Sequence, residues 1–129
     1  MTPLVVVCVA LGAVVGAPVR FAVERRMASS YPWGTWLVNV VGSAVLGALA
    51  GAVATSDADS VAALVALVGT GFCGSLTTFG GFAAQVLDLA VAPVEVLRSA
   101  RAWRSFGYGA ISVVACVGIA AAAYAVTSP

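Results

Sequence analysis

The chain has 129 residues, of which 62% are hydrophobic and 9% charged, with a net charge of +1 and a mean hydropathy of +1.09. A soluble domain carries about 25% charged residues, so this composition excludes one and indicates an all-α membrane protein. There is no histidine, no C-x-x-C and no basic stripe, and Cys8, Cys73 and Cys116 stand apart in apolar segments, which leaves no material for a zinc site, histidine catalysis or nucleic-acid binding.

At about 20 residues per crossing, the length allows four spans with short loops and a single transmembrane domain over residues 1–129. The first span is expected over about Pro3–Val23. Met1–Ala17 could pass for the apolar part of a signal peptide, but it lacks a basic start and the apolar run continues to Val19, so it reads as a span. Gly12 and Gly16 form a small-xxx-small face for close helix packing. Arg20, near the end, reads either as an interfacial anchor whose guanidinium snorkels to water or as an attractor for anions at a vestibule.

Pro32 precedes a second span expected over about Trp33–Ala54, with Trp33 and Trp36 suited to the membrane interface. Asn39 lies within it. An amide at that depth needs partners, so it either bonds a neighbouring helix or offers its NH2 to an anion. Gly42, Gly47 and Gly51 make a second close-packing face.

The loop Thr55–Ser60 holds Asp57 and Asp59 and no base. The apolar run that follows, from Val61 to about Val94, is too long for one straight crossing. Its middle, Gly69–Phe82, reads G-T-G-F-C-G-S-L-T-T-F-G-G-F. Each glycine costs a helix about 0.5–1 kcal/mol relative to alanine. A break near Cys73–Thr78 accounts for both the surplus length and the glycines. Irregular backbone is tolerated at that depth where protein buries it or where it lines a cavity or ion site. Phe79 and Phe82 share a face of a helix restarting after the break. They are either packing residues or rings whose electropositive edges meet an anion. Gln85, one turn on, extends that face.

Pro93, Glu95, Arg98, Arg101 and Arg104 occupy the third loop, where the arginine spacing suggests a short amphipathic helix on anionic headgroups. The fourth span is expected over about Phe106–Val126, with Tyr108, Ser112 and Cys116 as one polar stripe, used either for helix–helix hydrogen bonds or as a ladder of donors. Loops one and three carry the arginines of the loops and loop two has none, which puts loops one and three in the cytoplasm and both termini outside.

Four stretches resemble the CrcB/Fluc family of fluoride channels. They are G-A-V-V-G-A-P-V-R-F at Gly12–Phe21, G-T-W-L-V-N-V-V-G-S at Gly34–Ser43, G-F-C-G-S-L-T-T-F-G-G-F at Gly71–Phe82, and the Tyr108/Ser112 spacing. The third is the most specific, against a family pattern G-x-x-G-x-x-T-T-F-S-T-F. The resemblance implies two subunits packed antiparallel, as a homodimer or with a paralogous subunit, and passive export of fluoride across the cell membrane. It implies that Phe79 and Phe82 line the pore, that Asn39 is the pore amide, that Arg20 stands near the vestibule, and that Tyr108 and Ser112 lie on a polar track. It further implies a structural, untransported Na+ on the backbone carbonyls of Gly74 and Thr77. The chain departs from the pattern at Gly80-Gly81, which replaces Ser-Thr, and at Cys116, where a hydroxyl is common. The arginine bias suggests one preferred orientation and a partner of reversed bias.

Other classes fit less well. A small four-helix multidrug transporter needs an acid embedded in its first span, and none precedes Glu24. A non-transporting membrane scaffold explains the glycines but not Thr77-Thr78 beside Phe79 and Phe82. An intramembrane enzyme lacks a base to activate a nucleophile.

Overall fold

Leu, Val, Ala and Ile dominate the chain between its loops, and in lipid such segments satisfy their backbone only as helices. The computed structural model describes residues 2–91 and 98–129, and these form helices and the short turns between them. Pro93 and Glu95 of the third loop lie outside the described residues, as does the end of the expected third span.

Helix α1 spans Pro3–Arg26 and runs three residues past the expected end. Arg25 and Arg26 fall in its last turn, where cations complement the helix dipole. Helix α2 spans Trp33–Ala52. The third span starts earlier than expected because its own loop caps it: the Asp57 carboxylate accepts the Ser60 N–H at 3.3 Å, so the helix begins at Ala58. Its first half, α3 (residues 58–76), has three parts. Ala58–Leu64 is α-helical, Val65–Cys73 is wound as a π-helix, and Gly74–Leu76 makes a last α-helical turn. Thr77 and Thr78 are not helical, and Thr77 is extended at φ −80°, ψ 156°. Helix α4, Phe79–Val91, resumes the span.

Helix α5 spans Arg98–Thr127. Its first turns absorb the arginine stretch expected as a separate surface helix. No glycine or proline stands between Arg98 and Phe106 to stop it, so the loop sequence winds directly into the span.

The most extensive pairing is α1 on α3, followed by α2 along α5, and α4 also rests on α5. Both expected small-residue faces are buried, Gly12 and Gly16 on α1 and Gly42, Gly47 and Gly51 on α2. At Gly12 the requirement is geometric. A Cβ there would fall on the Leu67 carbonyl and within 2.6 Å of the Phe72 amide, so only glycine lets α1 lie against α3. The interior is thin: Thr35, Val38, Ala66, Cys73, Leu76 and Tyr108 are buried, while Leu11, Val14, Ile111 and Val114 face outward. Among the described residues four helical stretches are long and apolar enough to cross a membrane, and their outward side chains are those that lipid would cover.

Candidate functional site

The site is built around the interruption between α3 and α4. The amide and hydroxyl of Thr77 both donate to the Cys73 carbonyl at 2.9 Å, closing the last turn of α3. The Thr78 amide, which would otherwise close the next turn onto Gly74, instead donates to Asn39 Oδ1 at 2.8 Å. Asn39 Nδ2 returns a bond to the Thr78 carbonyl at 3.3 Å. The amide side chain thus holds both polar groups of one residue of the interruption and takes from the Gly74 carbonyl its helical donor. Thr78 in turn starts α4. Its hydroxyl accepts the Gly81 N–H at 3.0 Å and its carbonyl the Phe82 N–H at 3.3 Å, a Thr N-cap.

From α1, the Arg20 guanidinium donates through Nη1 to the carbonyls of Ser75 at 3.0 Å and Thr77 at 3.3 Å. Ser75 belongs to the last turn of α3 and Thr77 follows it, and carbonyls at such a helix end lack helical donors. Arg20 was expected near a vestibule or at the interface; it is half-buried, with its charge directed into the backbone of the interruption.

Beside the interruption lies an open groove of about 380 Å³ whose lining includes Asn39, Thr78, Phe79, Phe82, Ser112 and Cys116. The Phe79 and Phe82 ring centroids are 5.9 Å apart, tilted by 47°, and Phe79 is 81% exposed. Ser112 is 4% exposed, and its Oγ is buried beside the Tyr108 hydroxyl without a hydrogen bond of good geometry. A buried hydroxyl without a well-formed bond costs up to about 1–3 kcal/mol, and this one is on a residue that lines the groove. Among the described residues the one other buried side-chain atom in this condition is Trp36 Nε1, for which the packing offers no account.

Tyr108, one turn before Ser112, does not offer its proton to the groove. Its hydroxyl donates to Gln85 Oε1 at 3.1 Å. Its ring lies 5.7 Å from Phe82 on one side and meets Tyr31 edge-on at 5.5 Å and 88° on the other. Beyond Tyr108 is a second hollow of about 370 Å³, lined in part by Glu24, Tyr31, Thr35, Gln85 and Asp88. Tyr108 therefore stands between the two hollows.

Four of the residues expected to line the path thus gather around one groove, Asn39, Phe79, Phe82 and Ser112, while Tyr108 is buried behind it against the Phe82 ring. The sixth, Arg20, holds the backbone beneath it. Gly74 is exposed beside the groove, with its carbonyl released from helical bonding. The Thr77 carbonyl already accepts from Arg20 and keeps a second lone pair. Sequence reasoning passed over Thr35, Glu24, Tyr31 and the capping role of Thr78. Thr35 had a signal, since it precedes Asn39 by four residues and so shares its helix face.

Together, the spans and the interruption define a multi-pass membrane protein with an open groove at a broken helix. The chain belongs to the CrcB family: the family model described as CrcB-like protein, Camphor Resistance (CrcB), matches residues 7–124. It is similar to the fluoride-specific ion channel FluC 1 of Nocardia farcinica, 42% identical over 124 residues that cover 93% of this chain and 78% of the relative. It is also similar to FluC 1 of Streptomyces avermitilis, 38% identical over 118 residues (88% and 94% of the two chains). FluC 2 of Rhodococcus jostii is 41% identical over 121 residues (92% and 93%).

Proposed function

We propose that the chain is a passive, fluoride-selective channel of the plasma membrane and not an enzyme, with the groove as one wall of the ion path. The observation that carries this reading is the groove at the broken helix, which brings Asn39, Ser112 and the rings of Phe79 and Phe82 together. Fluoride is small and strongly hydrated, so a path must replace its water. The groups on hand are the Ser112 hydroxyl, the second N–H of Asn39 and the two ring edges. The names of the relatives point to the same ion.

A negative-inside potential drives an anion outward by about 2.3 kcal/mol per 100 mV, which suffices for export without coupling. Fluoride that enters as HF and dissociates in the cytoplasm leaves by this route.

The groove is open along one side, and Phe79 projects into it almost fully exposed. A second subunit packed antiparallel would cover it. The freed Gly74 carbonyl and the remaining lone pair of Thr77 suit a Na+ held between two such subunits, because a hard cation takes backbone oxygens. There it would fix the two interruptions against each other. The arginines of loops one and three favour one orientation of this chain and hence a paralogous partner of reversed charge bias.

Fluoride efflux from loaded liposomes, followed with an electrode, tests the reading. Fluoride release without chloride release is expected when the chain is reconstituted with its reversed-bias partner. Release from the purified chain alone would replace the paralogous pair by a homodimer, and no release in either case would overturn the channel.

A further inference from the structure

Three hydrogen bonds join four side chains from four helices into one directed chain. Tyr108 of α5 donates to Gln85 of α4 at 3.1 Å. Gln85 Nε2 donates to Thr35 Oγ1 of α2 at 2.7 Å. Thr35 donates to Glu24 Oε1 of α1 at 3.0 Å. The contact at the α1 end depends on Gly34, since a Cβ there would stand 2.8 Å from the Glu24 Cα, and only glycine brings the two backbones close enough for Thr35 to reach the carboxylate.

The direction of the chain is set at one end. A carboxylate only accepts, so the single proton of Thr35 goes to Glu24. Thr35 then has only lone pairs for Gln85, which must present its NH2. The Gln85 carbonyl is thereby turned to Tyr108, and it takes the tyrosine proton. Thr35 is 1% and Tyr108 2% exposed, so water does not compete for these bonds at either residue. Glu24 itself is half-buried at the second hollow, with Asp88 lining the same hollow and Arg25 and Arg26 following on its own helix.

We propose that Glu24 is a positioning residue which, through Thr35 and Gln85, keeps the Tyr108 proton turned away from the fluoride path. This rests on the channel reading for its consequence but not for its geometry. With the acceptor at position 24 removed, Thr35 is free to donate to Gln85, the amide turns over, and the Tyr108 hydroxyl turns its proton toward Ser112 and the groove. An added donor there holds the anion more firmly, and conduction requires weak binding.

The test uses tyrosine labelled with 13C at Cζ in protein embedded in lipid nanodiscs, with the Tyr108 resonance assigned by its loss in Tyr108→Phe. Glu24→Leu should shift the Tyr108 resonance and leave that of Tyr124, near the far end of α5, in place. Thr35→Val should reproduce the shift and Thr35→Ser should restore the wild-type position; should Thr35→Val not fold, Glu24→Leu and Thr35→Ser suffice. An unmoved Tyr108 resonance in Glu24→Leu would overturn the proposal, whether or not the protein conducts. In liposomes, Glu24→Leu should slow fluoride efflux by about threefold or more, and the same substitution in a Tyr108→Phe background should change nothing further, since contacting residues in one network are non-additive. Equal slowing in both backgrounds would overturn action through Tyr108. Loss of fluoride efflux in the wild type alone would remove the channel reading and leave the spectroscopic test standing.

Discussion

The guanidinium of Arg20 on α1 donates to the carbonyl of Ser75, 55 residues away, in the last helical turn before the third span breaks. One cation thus holds the carbonyl end of a half-helix at a point where that helix has no donors of its own. Hydrogen bonds to a charged group contribute about 1.5–3 kcal/mol each. Arg20→Leu should lower the thermal midpoint of the purified protein and abolish fluoride efflux, while Arg20→Lys, which has no planar fork, should recover only part of the stability. A midpoint unchanged in Arg20→Leu would show that the backbone holds its break unaided.

Asn39 both accepts from and donates to Thr78. Asn39→Asp keeps the acceptor, loses the donor and puts a negative group in the groove. Fluoride efflux should fall by about tenfold or more, as like charge opposes an anion in a low-dielectric path. Unchanged flux in liposomes would remove Asn39 from the path.

Phe79 is almost fully exposed in the single chain. Phe79→Ile keeps apolar bulk and loses the electropositive ring edge. Flux should drop severalfold, while stability of the single chain changes by no more than about 0.5 kcal/mol, the usual range for an exposed position. Intact flux would reduce the ring to packing.

Ser112→Ala should separate function from folding. The Ser112 hydroxyl has only a poorly formed contact to Tyr108 to lose, so chemical or thermal stability should hold within about 1 kcal/mol. Fluoride efflux should fall in the same protein. A larger loss of stability would mean that the hydroxyl has a structural partner.

Much of this site could be read along the chain, because its signals are local. Gly69–Phe82 interrupts an apolar run with glycine and threonine, and the break falls at Thr77 and Thr78. Phe79 and Phe82 lie three apart, and both reach the groove. What escaped notice depends on backbone partners far away in sequence. Nothing near Arg20 indicates that it bonds Ser75 and Thr77, since a carbonyl leaves no trace in residue type. The order Glu24, Thr35, Gln85, Tyr108 has no period and exists only once four helices are packed. Tyr108 shows the limit of a stripe argument: the spacing puts it on one helix face with Ser112, but says nothing of which way its proton points.

The π-wound stretch Val65–Cys73 has a consequence for how this span tolerates change in length. A π turn is in effect an α turn with one residue to spare. Excising a single residue there would let the rod tighten toward ordinary α-helix while Thr78 keeps its place against Asn39 and both phenyl rings stay at the groove. The α-helical part of the same span, Phe79–Val91, has no residue to spare, and a deletion there swings everything downstream by about 100° around its axis. Changes of length are therefore filtered by where they fall and not by bulk, so loss of Val68 should be tolerated where loss of a residue from Phe79–Val91 would not.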